Sequence, residues 1–213
     1  MNTDVLITEL ARHVTPVSRY AVHTRLFGAG AAGFLASAAA LIVWLGAGPD
    51  LTQAAVTTPF FFKSSYAATL AVISIAAVIE LMRPSGPGVR RGLWLAAPVF
   101  AAVSVAAIEL ATSPVLSWPS LILGQSIIAC LSRITILSLP MMVTLFWAAR
   151  AFAPTNTKAA GGAIGLAAGG LAATIYSFRC VETGACFIAL WYTAAIALVG
   201  ITGMLLGPRV LRW

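Results

Sequence analysis

The sequence predicts an all-α fold of the polytopic membrane kind, a six-helix transmembrane bundle with a short cytoplasmic N-terminal amphipathic helix. Three observations predict it. First, of 213 residues 60% are hydrophobic and 9% charged, whereas an average soluble domain is about 25% charged. With a mean hydropathy of +0.96, a soluble chain would have to expose apolar patches that aggregate, and lipid removes that conflict. Second, apolar stretches of about 20 residues recur, the length that carries a helix through a hydrocarbon core about 30 Å thick. Third, the basic residues are distributed with a bias between alternate connections, as the positive-inside rule expects.

The elements follow in order. Residues 1–25 form a cytoplasmic arm. It carries Asp4, Glu9, Arg12, Arg19 and Arg25 with no apolar run, so no cleavable signal peptide is expected. Thr3 can cap a helix in which Leu6, Leu10, Val14 and Val17 recur at near-helical spacing, with Thr8, Glu9 and Arg12 on other faces, until Pro16 and Ser18 interrupt it. One apolar stripe on a short helix must be buried, either in the membrane interface or against a partner protein.

Six spans are expected at 26–45, 64–82, 92–110, 122–147, 159–178 and 187–206, together a bundle over 26–206, and a cytoplasmic tail at 207–213. The breakers between them are Gly48 with Pro49, Pro84 and Gly88, Pro114 with Pro119, Pro154, and Gly207 with Pro208. The connections are short, so neighbouring helices run antiparallel. With the amino terminus inside, Arg12, Arg19, Arg25, Arg83, Arg90, Arg91, Arg150, Lys158, Arg209 and Arg212 all lie on the cytoplasmic side, ten of the 13 basic residues. Both termini are therefore expected inside. Lys63, Arg133 and Arg179 remain, each near the outer end of a span where its stem can snorkel.

The net charge of +7 does not point to nucleic acid, because the basic residues stand singly or in pairs beside apolar runs. Among ionisable groups in the spans, Glu80 lies near Arg83, and Glu109 can pair with the deeper Arg133 across the adjacent span. Mid-membrane polar groups are mostly Ser and Thr, which argues against a transporter or channel, the alternative reading. A structural subunit of a larger complex is a third class. No Ser/His/Asp arrangement, phosphate-binding loop or carboxylate pair is present, so an enzyme is not expected. Gly161, Gly165 and Gly169 recur every fourth residue in the fifth span, a small-residue face for close helix packing.

The topology brings three cysteines toward one face, Cys130 near the outer end of the fourth span and Cys180 and Cys186 bracketing the last outer loop. Such thiols can pack as small apolar residues, bind a soft metal ion transiently, or cycle between dithiol and disulfide. His13 and His23 lie in the arm, so they support no zinc site there, and a spacing of six is not a CxxC pattern. No cofactor is obligatory.

Several short motifs resemble the NrsF family of six-span negative regulators, inner-membrane anti-sigma factors of extracytoplasmic-function sigma factors. They are Thr3-Asp4-Val5-Leu6 through Pro16-Val17-Ser18-Arg19, Lys63, Arg83-Pro84, Gly124-Gln125-Ser126 before Cys130, and Arg150 with Ala153-Pro154. Ala160-Gly161, Cys180-Val181-Glu182, Trp191-Tyr192 and the closing Gly207-Pro208-Arg209-Val210-Leu211-Arg212-Trp213 extend the likeness nearly end to end. The resemblance implies that Cys130 and Cys180 sense stress such as heavy metals, with Cys186 additional. It also implies that the arm, through Asp4, Leu6, Leu10, Val14, Pro16 and Arg19, holds the sigma factor at the bacterial inner membrane.

Overall fold

The structure is a computed structural model, described here for residues 3, 7–9, 20–46, 57–83, 93–152 and 154–212. Its order is α1 (Ala21–Leu45), α2 (Thr58–Leu81), α3 (Ala96–Thr112), α4 (Trp118–Leu123), α5 (Ile127–Ala149), α6 (Thr157–Tyr176) and α7 (Ala185–Val210). No strand occurs among the described residues. Six segments are helical, long and apolar enough to cross a membrane. Helices are what such a chain must form, because every backbone N–H and C=O then finds a partner inside its own segment. Thr3 and residues 7–9 are also helical. The expected arm contacts Asp4, Leu6, Leu10, Val14, Pro16 and Arg19 lie outside the described residues.

Local chemistry sets the helix ends. Pro59 stands in the first turn of α2 and Pro119 in that of α4, where a missing N–H costs nothing. Asn156 caps α6, its Oδ1 accepting from the Ala159 amide at 2.9 Å. Gly46, at φ +75°, ends α1.

α6 is the centre of the bundle and is buried along most of its length. One of its sides meets α7 backbone to backbone. A Cβ on Gly161 would strike the Gly203 carbonyl, one on Gly165 the Val199 carbonyl, and one on Gly169 would lie 3.2 Å from Ile196 Cα. Another side meets α2, where a Cβ on Gly170 would come within 2.9 Å of the Ala71 amide nitrogen. Small residues thus let α6 approach two neighbours. α1 lies against α5, with Gly33 over Met141 and Thr144, and the buried Ser37 donates to the Leu137 carbonyl at 2.8 Å. α3 is peripheral, burying only Ala102 and Ala106, while Phe100 and Ile108 face outward.

Four expectations change. The fourth span is not one helix: α4 stops at Gly124, whose φ of +54° no helix accommodates, and α5 begins at Ile127. The second span begins at Thr58, which carries Lys63 into the helix and buries it rather than leaving it to snorkel. The sixth begins at Ala185, so Cys186 stands in its first turn and not at the edge of a loop. Its helix also runs through Gly207 and Pro208 to Val210. So near the helix end, the missing Pro208 N–H frees a single carbonyl.

Candidate functional site

The site lies at the end of the bundle where α1 finishes, far from Ala21. Cys130 is in the first turn of α5, its amide donating to the Ser126 carbonyl at 2.8 Å, and it is fully buried. Cys180 follows the end of α6, its amide donating to the Tyr176 carbonyl at 3.1 Å, and is also buried. The two side chains are electrostatic neighbours of each other, of Lys63 and of Tyr176.

Lys63 holds the segment that carries Cys180. Its Nζ donates to the Cys180 carbonyl at 2.5 Å and to the Glu182 carbonyl at 3.3 Å. The Glu182 carboxylate then reaches the break in the fourth span, where Oε1 accepts from the Gln125 amide at 2.9 Å and from Ser126 Oγ at 2.8 Å. A carboxylate there satisfies donors at the start of α5 and complements the positive end of that helix. Gly124 is required at this point, since a Cβ would lie 2.6 Å from the Phe187 ring and 2.9 Å from Glu182 Oε2.

Two tyrosines and an arginine complete the cluster. Arg133 Nη1 donates to Tyr176 Oη at 3.4 Å. Tyr192 is fully buried in the π-helical turn Ile188–Tyr192, and its hydroxyl faces the Cys180 thiol. A π turn adds a residue to the helix and re-aims its side chains, and such turns recur at functional sites. Arg179, next to Cys180, donates from Nη2 to the Leu45 carbonyl at 2.9 Å, tying the segment to the end of α1.

Cys186 stands apart. Its thiol donates to the Ala106 carbonyl of α3 at 3.1 Å, and its amide donates to Glu109 Oε2 at 2.7 Å. The expected pairing of Glu109 with Arg133 therefore gives way: Glu109 serves the start of α7, and Arg133 turns to Tyr176. All three cysteines are free thiols. Among the described residues no group of three His, Cys, Asp or Glu side chains is placed to hold a metal ion. A soft ion at Cys130 and Cys180 would meet two sulfur ligands, with no third protein ligand of those types already in position.

Lys63, Tyr176, Glu182 and Tyr192 were not legible as members of one site. Lys63, Glu182 and Tyr192 signal themselves only as members of the motifs that carry the family resemblance, and Tyr176 only by its closeness to Cys180 in the chain. Gly161, Gly165 and Gly169 lie on the α6–α7 contact, away from the thiols.

Residues 10–213 match the family described as Negative regulator of sigma F. The chain is 40% identical over 215 residues to a protein of Caulobacter vibrioides named Anti-sigma-F factor NrsF, with all of both chains covered. It is 32% identical over 219 residues to a Probable anti-sigma-F factor NrsF of Azospira oryzae, again with all of both chains covered. No solved structure matches the chain. On a match that spans nearly its whole length, the chain belongs to the NrsF family of negative regulators of sigma F.

Proposed function

We propose that the chain is an inner-membrane anti-sigma factor whose arm, residues 1–25, sequesters an extracytoplasmic-function sigma factor and releases it under stress. Cys130 and Cys180 are the sensing groups, responding to a soft heavy-metal ion or to an oxidant. The family membership and the names of the two relatives support a sigma-factor partner. The Lys and Arg distribution supports cytoplasmic termini, which puts the thiol cluster on the periplasmic side.

The observation that carries the sensing role is the convergence of Cys130 and Cys180, 50 positions apart in sequence, into one buried cluster with Lys63 while Cys186 is excluded. A divalent soft ion would displace one proton from each thiol and bind both thiolates. An oxidant would accept two electrons as two protons leave and a disulfide forms. Either event links α5 to the end of α6 where thiol packing held them before.

The test is capture of the sigma factor on the chain solubilised from membranes, with and without Cd²⁺ or peroxide, for wild type and for Cys130→Ser with Cys180→Ser. Wild type is expected to release its partner under stress and the double variant to retain it. Failure to capture any sigma factor overturns the regulator reading, and retention by wild type under every stress overturns the sensing part.

A further inference from the structure

At the opposite end of the bundle, where α6 begins and α7 ends, Lys158, Arg209 and Arg212 surround a cleft of about 550 Å³ completed by Met204, Leu205 and Pro208. The three basic residues are exposed, and Arg209 Nη1 donates to the Leu205 carbonyl of its own helix at 3.4 Å. Among the described residues no acidic side chain lines the cleft. The positive end of α6 and the negative end of α7 meet at the cleft and offset one another, so the three side chains set its charge. Positive charge is thus concentrated at the top of the cleft, while Met204 and Leu205 present apolar surface beneath it.

We propose that this cleft binds an anionic phospholipid, its phosphate held by Lys158, Arg209 and Arg212 and its acyl chains lying along Met204 and Leu205. A free phosphate would use the cations and leave the apolar floor unexplained. An acidic protein surface has the same difficulty. The inference rests on the membrane-spanning part of the proposed function and is independent of the sensing part. Basic pockets between helices on the cytoplasmic side of a membrane bind such headgroups, each cation strengthening attraction about fivefold, so three amount to on the order of a hundredfold.

The test is native mass spectrometry of the full chain in detergent doped with phosphatidylglycerol, with phosphatidylcholine, or with phosphatidylglycerol plus excess inorganic phosphate. The variants are Lys158→Gln with Arg209→Gln and Arg212→Gln, and a control with Arg25, Arg83 and Arg150 changed to Gln. Wild type and control are expected to retain one phosphatidylglycerol against phosphate and phosphatidylcholine, and the cleft variant to lose it by at least tenfold. Equal retention by the cleft variant, equal loss in the control, or displacement by phosphate overturns the proposal. So does a cleft variant that keeps its lipid but no longer captures the sigma factor, which would assign the cations to a protein partner. Resistance of the wild-type chain to alkaline carbonate extraction reads insertion separately, so an inserted chain without lipid preference sinks the cleft alone.

Discussion

Lys63 is the residue on which the thiol site depends most directly. A buried ammonium is costly unless hydrogen-bonded, and here it supplies the donor for two carbonyls flanking Val181. Lys63→Met removes the charge but leaves both carbonyls short of a partner, each worth about 1–3 kcal/mol when buried. The net effect expected is a loss of about 2 kcal/mol, read as earlier unfolding of the solubilised chain in a denaturant titration followed by circular dichroism. Cys186 makes the contrasting case. Serine keeps a donor for the Ala106 carbonyl, so Cys186→Ser is expected to change stability by under about 1 kcal/mol and to leave stress-induced release intact, unlike Cys130→Ser or Cys180→Ser. The cysteines were legible because few residue types carry their chemistry. Lys63 was not, because a lone lysine at a span end normally snorkels, and its carbonyl partners come from more than a hundred residues away.

At the scale of helices, the α6–α7 contact depends on backbone approach. Gly165→Ala would put a methyl group onto the Val199 carbonyl and 3.0 Å from Gly200 Cα, and separating two packed backbones costs about 1–3 kcal/mol. Gly162, one turn away and facing aside, has its nearest neighbour at 3.6 Å from a Cβ. Gly162→Ala should therefore be tolerated, gaining up to about 1 kcal/mol from helix propensity. Thermal unfolding of both variants in the same detergent separates packing from propensity, and equal effects would refute the close contact. The spacing of Gly161, Gly165 and Gly169 made this face readable, because periodicity is a property of one segment. The break at Gly124 was not readable, since glycine is common inside membrane helices. What excludes a Cβ there is the Phe187 ring and the Glu182 carboxylate, both brought there by the fold.

Over the whole molecule, the proposed function requires the thiol end to influence an arm attached at the other. α1 is the element that joins them. It enters from the arm at Ala21, lies against α5, the helix that carries Cys130, through Gly33 and Ser37, and ends at Leu45, whose carbonyl is held by Arg179. Arg179 is adjacent to Cys180, so a change in the Cys130–Cys180 linkage moves both surfaces that position α1. A 25-residue helix is about 37 Å long, and a packed helix moves as a unit more readily than it bends. The conformations so related need differ in sigma-factor affinity by only about 1–3 kcal/mol. Arg179→Gln shortens the tie to α1 and leaves both thiols and the arm untouched. The expected outcome is a chain that still captures the sigma factor, still consumes Cd²⁺ or oxidant at Cys130 and Cys180 by thiol titration, and no longer releases its partner in response. Release equal to wild type would remove α1 from the connection and leave the α6–α7 pair, whose basic end carries the lipid cleft, as the route between the two ends.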